Sequence, residues 1–162
     1  MTRTPTQFSL PAITSVVLSA LLSLQALPGH ANDLGRYIDL AVQLLDDAIA
    51  RETVFGSGTV PDYARSLRRR FLDAGFAEDA VQLVPLNDTM SLLVRYAGDN
   101  SSGRRPILFS SHMDVVPADP DDWMRNPFEL QVDDTFFYGR GVLDNKFDVS
   151  LLTTLFIWLK ED

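Results

Sequence analysis

The chain has 162 residues, enough for one domain, and 46% of them are apolar, so a packed core is possible. The formal net charge of -8 disfavours nucleic acid and anionic lipid as partners. There is no cysteine, which excludes disulfides, thiolate nucleophiles and cysteine-held zinc; any metal must be bound by histidine and carboxylate.

In chain order, residues 1–31 read as a secretory signal. Arg3 supplies the basic start, residues 12–24 the apolar stretch, and Pro28-Gly29-His30-Ala31 a break with cleavage after Ala31. The apolar stretch is short of the about 20 residues that a spanning helix needs. Export to the periplasm or the medium is therefore expected, with no membrane attachment after cleavage. Cleavage would leave His112 as the single histidine, since His30 is the other one.

Residues 33–51 carry a helical pattern. Leu34, Ile38, Ala41, Leu44, Leu45, Ala48 and Ile49 are expected inward, with Asn32 or Asp33 as the cap. Gly56-Ser57-Gly58 is a loop; no Lys-Ser/Thr follows, so it is no phosphate cradle. Pro61 suits the first turn of a second helix, with Tyr63, Ala64, Leu67, Phe71 and Leu72 as its apolar stripe and Gly75 as its stop. Arg68-Arg69-Arg70 lies in that helix and reads as a solvated face.

Residues 81–85 and 91–97 read as strands joined by a turn at Asn87-Asp88. Residues 107–110 are apolar on both faces, as in a central buried strand. Residues 129–132 and 135–138 form a candidate hairpin across Asp133-Asp134. Residues 149–160 read as a last helix with Leu151, Leu152, Leu155, Phe156 and Leu159 inward. The expectation is an α/β domain in which helices flank a central mixed sheet, incomplete at its C-terminal end.

Two places carry chemistry. His112 and Asp114 stand two apart at the end of the run 107–110, on one side of an extended chain. A neutral imidazole is a good zinc ligand, and a neighbouring carboxylate can hold its other N–H and so fix the tautomer. Asp144 follows Gly139-Arg140-Gly141, where glycines allow a tight turn. Alone, His112 reads as a structural histidine and Asp144 as a helix cap or a loop carboxylate. Phe109-Ser110-Ser111-His112 lacks the glycine-flanked turn of a serine nucleophile.

Together, SSHMDVVPAD, then Trp123 and Asn126-Pro127-Phe128, then YGRGVLDNK resemble the co-catalytic zinc peptidase family of aminoacylase, acetylornithine deacetylase, succinyl-diaminopimelate desuccinylase, carnosinase and glutamate carboxypeptidase. The resemblance runs over residues 32–162 and corresponds to the N-terminal part of such a catalytic domain. It implies that His112 binds zinc, that Asp114 is a catalytic carboxylate orienting His112, and that Asp144 bridges two zinc ions. The implied substrate is a peptide or N-acyl amino acid. Phe147-Asp148 departs from the small residue usual after the motif lysine.

The family's Glu-Glu pair, later ligands and lid domain would lie past Asp162, and homodimerisation is implied for the full-length protein alone. The expected function is zinc-dependent amide hydrolysis by the longer protein. The alternative is a truncated, non-catalytic product that lacks the general base and the remaining ligands. A small binding module for metal or peptide is a third class. On its own the chain is expected to bind zinc weakly and to turn over little.

Overall fold

The computed structural model describes residues 30–99 and 101–161. Tyr37–Asp162 forms one compact unit; Met1–Arg36 is a separate one, described from His30 onward. The expected signal lies outside the described residues except for His30 and Ala31.

Helix α1 is His30–Ile49. It starts earlier than expected, so Asn32 and Asp33 fall inside it rather than at its cap. Its packed stripe is Tyr37, Leu44, Leu45, Ala48 and Ile49, whereas Leu34 and Ile38, expected inward, are 61% and 55% exposed. The stripe starts at Tyr37 and continues through half-buried Leu40, a three- and four-residue rhythm that leaves Ile38 on the outside.

Helix α2, Val60–Asp73, has Pro61 in its first turn and buries Tyr63, Ala64, Leu67 and Phe71 as expected. Gly75 ends it at φ +86, in the left-handed region where glycine bears no Cβ penalty. The arginine run is used structurally. Arg70 pairs with Asp47 of α1 at 3.0 Å, and Arg68 donates to the Val81 carbonyl at 3.1 Å.

Strands β1, Val81–Leu86, and β2, Thr89–Val94, form an antiparallel hairpin, with Val81 opposite Val94 and Leu86 opposite Thr89. The turn is Asn87-Asp88, and Asn87 takes φ 53, which asparagine tolerates. Strands β3, Gln131–Val132, and β4, Phe137–Tyr138, pair antiparallel within the expected hairpin. The Asp133 carboxylate accepts the amides of Thr135 and Phe136 at 2.9 Å each and the Tyr138 hydroxyl at 2.7 Å, which shapes the connecting turn.

The α/β class holds, as helices packed with small antiparallel ladders rather than around one central sheet. The expected buried strand at residues 107–110 is corrected. Ile107 and Leu108 are 79% and 85% exposed, and the run joins no ladder among the described residues. It and β2 both line a groove of about 440 Å³, and no ladder bond joins them. Without ladder bonds an apolar run has no fixed strand geometry, whatever its propensity.

Helix α3 is Phe147–Glu161. Its inward face is corrected in part: Val149, Ser150, Thr153, Thr154 and Ile157 are buried, Leu151 and Leu159 are exposed, and Leu152, Leu155 and Phe156 are half-buried, with Phe156 packed on the core. The hydroxyls can be buried because each finds an acceptor one turn back. Ser150 donates to the Lys146 carbonyl, Thr153 to Val149 and Thr154 to Ser150, at 2.8, 2.7 and 2.9 Å.

The core comprises two clusters. Tyr37, Phe71, Phe76, Val81 and Ile157 form one; Leu44, Ala48, Tyr63, Leu67 and Val149 form the other. Both draw on all three helices, and Leu92 of β2 packs on each. Among the described residues no helix is long and apolar enough to cross a membrane.

A buried lysine ties the far end of this unit to α1. Lys146 is 0% exposed, and its Nζ donates to the carbonyls of Ala48 and Arg51 at 2.7 and 2.6 Å. Ala48 lies in the last turn of α1 and Arg51 just past it, where the helix dipole favours a cation; the two carbonyls also accept the amides of Arg51 and Thr53 at 3.1 and 2.8 Å. Burial, with the Arg51 cation nearby, lowers the Lys146 pKa from 10.5 to about 8. Lys146→Met should therefore lower stability by about 1–3 kcal/mol through the loss of two charge-assisted hydrogen bonds, read as a fall in Tm. Between about pH 8 and 10.5 the unfolded lysine holds more protons than the folded one, so the wild type should gain stability with rising pH in that window. Lys146→Met should lose that gain.

Candidate metal centre

The chain leaves α1 and runs extended through Thr53. There it receives the segment that carries His112. The Val115 amide donates to the Thr53 carbonyl at 2.9 Å, and the Thr53 hydroxyl donates to the Met113 carbonyl at 2.7 Å. Val54 and Val115 form a parallel bridge. Thr53 and Val115 are 0% and 4% exposed, so residues 113–115 are gripped in a dry environment.

The second segment carries Asp144 in a wide turn, Val142–Lys146, closed by the Lys146 amide on the Gly141 carbonyl at 2.8 Å. Two glycines admit it. A Cβ on Gly139 would meet Ile49 of α1 at 2.8 Å; one on Gly141, at φ +89, would meet Val115 at 2.7 Å and the Lys146 stem at 3.1 Å. Gly141 thus sits between the two segments, and close approach is its main role. The Trp123 and Asn126-Pro127-Phe128 motif braces this loop. The Arg140 amide donates to the buried Pro127 carbonyl at 2.6 Å, and the Arg140 guanidinium lies 5.0 Å from the Trp123 ring. The Asp144–Asn145 peptide is cis.

These contacts bring His112 and Asp144 together across 32 residues of chain: Nε2 lies 2.8 Å from Asp144 Oδ1. Asp144 has non-helical φ and ψ, and its carboxylate turns to His112 rather than capping α3. Asp114 is adjacent, with a difference from expectation. The nearest partner of His112 Nδ1 is the Asp114 backbone carbonyl at 3.0 Å; the Asp114 carboxylate is 3.4 Å away. An extended chain offers its carbonyl at a closer radius than a flexible side chain, so the backbone supplies the orienting bond.

The His112 pKa is raised from its ordinary 6.5, first by the hydrogen bond to Asp144; burial opposes this, and the Asp114 carbonyl and the charges of Asp114 and Asp144 add to the rise. With Nδ1–H donated to the Asp114 carbonyl, the neutral ring carries its lone pair on Nε2, facing Asp144. Both are ordinary zinc donors, so the donor chemistry fits part of a zinc site. It does not complete one: among the described residues no group of three or more His, Cys, Asp or Glu side chains is placed to hold a metal ion.

The sequence singled out His112, Asp114 and Asp144, and the fold assembles all three. It missed Thr53 and the burial of Lys146. A threonine after a helix gives no signal, and a lysine in a motif reads as exposed unless paired.

Gly141→Ala should cost about 1–3 kcal/mol in backbone strain alone and separate the two segments, seen as a lower Tm and loss of the His112 Nε2 hydrogen-bond signal by NMR. The His112 ring should titrate above 6.5 in the metal-free chain. Asp144→Asn should bring it down, because the favoured partner of the charged ring is gone. The pair's contribution to stability is present at low pH and is lost as pH rises through the raised pKa.

Residues 108–162 match the family model described as Peptidase family M20/M25/M40. An acetylornithine deacetylase of Dictyostelium discoideum is 43% identical over 72 residues, covering 43% of this chain and 16% of that protein. A probable succinyl-diaminopimelate desuccinylase of Staphylococcus epidermidis is 40% identical over 81 residues, covering 49% of this chain and 19% of that protein. These matches thus span less than a fifth of the relatives' length. The crystal structure of human carnosine dipeptidase 1 aligns with 81% of this chain and 32% of its own, at 24% identity and a TM-score of 0.49.

Proposed function

We propose that this chain, whose residues 108–162 match the peptidase M20/M25/M40 model, contributes one side of a zinc site in a hydrolase of amide bonds in N-acyl amino acids or peptides. The observation that carries the reading is the convergence of His112 Nε2 and Asp144 Oδ1 at 2.8 Å, built by two separate loops. Relatives named as a deacetylase and a desuccinylase support an acylated amino-acid substrate.

In this reading His112 and Asp144 hold zinc. Held there, zinc would supply Lewis acidity toward a scissile carbonyl and toward a water molecule, whose pKa it would bring toward about 7. The chain's own contribution is orientation. The Asp114 carbonyl accepts a hydrogen bond from Nδ1–H at 3.0 Å, which would keep the proton on Nδ1 and leave the Nε2 lone pair as the one presented. The Asp114 carboxylate, at 3.4 Å, adds negative charge that raises the ring's basicity. Asp144 is 83% exposed, so its second oxygen is open to a second ion, as a bridging role requires. Two zinc ions, homodimerisation and export to the periplasm or medium belong to this reading as features of the complete protein.

A second reading is that the chain binds metal weakly and is not catalytic. The observation favouring it is the lack, among the described residues, of a third metal-binding group beside the pair. Zinc takes about four ligands, and two from the protein leave it loosely held.

Competition with a chromogenic chelator tests the site. Zinc uptake should fall at least about tenfold in both His112→Ala and Asp144→Ala, the scale on which even supporting residues act. Uptake equal to wild type in both would remove His112 and Asp144 from the site. Turnover of an N-acetyl amino acid by the 162-residue chain, abolished by Asp144→Ala, would decide against the non-catalytic reading.

A further inference from the structure

We propose that Thr53 is a positioning residue for the His112–Asp144 pair, acting through the Met113 carbonyl and the Val115 amide; the inference deepens the zinc reading and rests on it. Thr53 lies outside residues 108–162, in a segment to which the family match assigns nothing. Three observations place it in this role.

First, Thr53 grips the His112 segment at two points. Its hydroxyl donates to the Met113 carbonyl at 2.7 Å, and its own carbonyl accepts the Val115 amide at 2.9 Å. Met113 adjoins His112, and both grips flank Asp114, whose carbonyl orients the ring at 3.0 Å. Rotation of the 113–115 backbone would carry that carbonyl away from Nδ1.

Second, the same short stretch holds the Asp144 segment. Lys146 Nζ donates to the carbonyls of Ala48 and Arg51 at 2.7 and 2.6 Å. Residues 48–54 are therefore a common frame for both halves of the pair. His112 and Asp144 are side chains on exposed loops, 48% and 83% accessible, and cannot fix their own separation. The buried frame beneath them can.

Third, the fit leaves no slack. Gly141 passes so close to Val115 that a Cβ there would stand 2.7 Å from the valine methyl. Val115 therefore touches both Thr53, through its amide, and the loop that carries Asp144.

The test compares Thr53→Val, which keeps the shape and loses the hydroxyl, with Thr53→Ser, which keeps the hydroxyl. Thr154→Val is the control, since it also removes a buried hydroxyl bond, of 2.9 Å, but within α3. Two readouts are taken: the His112 ring NMR signals of the metal-free protein at one fixed pH, and the affinity for Co(II). Thr53→Val should lose the hydrogen-bonded Nε2 signal and bind Co(II) about 10–100-fold more weakly, the range for a residue that orients a ligand. Thr53→Ser should restore both, and Thr154→Val should change neither.

An unchanged His112 signal in folded Thr53→Val overturns the proposal. So does an equal disturbance in Thr154→Val, which would make the effect one of general stability. The NMR readout needs no metal, so a wild type that takes up no Co(II) sinks the zinc reading while the His112 signal still decides the role of Thr53. If Thr53→Val does not fold, the wild-type Val115 amide decides. Hydrogen exchange slower than that of Val116 by tenfold or more supports the grip, and equal rates overturn it.

Discussion

The structure depends on a cation buried at the end of a helix. Lys146 places its ammonium on the two carbonyls that close α1, at 2.7 and 2.6 Å. A charge taken out of water is costly unless fully bonded, and a helix C-terminus is one of few places where backbone alone can receive it. The bond fixes where the last helix starts and where the turn before it must lie. Asp144 is carried in that turn, and its position is a consequence of the anchor.

The same end of α1 governs the other half of the pair. The chain emerging from it pairs with the His112 segment through Thr53 and Val54. Two exposed side chains far apart in sequence are thus brought to hydrogen-bond distance by a frame whose anchoring residues, Ala48, Thr53 and Lys146, are buried. The arrangement gives His112 a direction: the Asp114 carbonyl on one nitrogen, Asp144 on the other. A histidine facing acceptors on both sides is drawn toward its charged form without metal. A cation between Nε2 and Asp144 would take over that charge.

Much of this was legible in the sequence. The helical stripe of Tyr63, Ala64, Leu67 and Phe71, the Asn87-Asp88 turn and the glycine-flanked loop each carry a strong local signal, and each is found as expected. His112, Asp114 and Asp144 were legible only in combination, because neither SSHMD nor YGRGVLDNK singles them out alone and the two motifs together resemble one family. The failures share one cause: they concern partners, which a local pattern does not contain. Residues 107–110 have the propensity of a buried strand but no neighbouring strand among the described residues. In α3 the leucines suggested the inward face, yet Ser150, Thr153 and Thr154 hold it because their hydroxyls satisfy themselves within the helix. Thr53 and Lys146 went unread because their importance lies in contacts made across 60 and more residues.

The central claim is that His112 and Asp144 are two donors to one cation. Crystals of the chain grown with zinc, with anomalous data collected on both sides of the zinc absorption edge, test it most directly. The account predicts a peak about 2.0–2.2 Å from both His112 Nε2 and an Asp144 carboxylate oxygen. A map with zinc bound elsewhere, and the His112–Asp144 hydrogen bond intact at 2.8 Å, would contradict it.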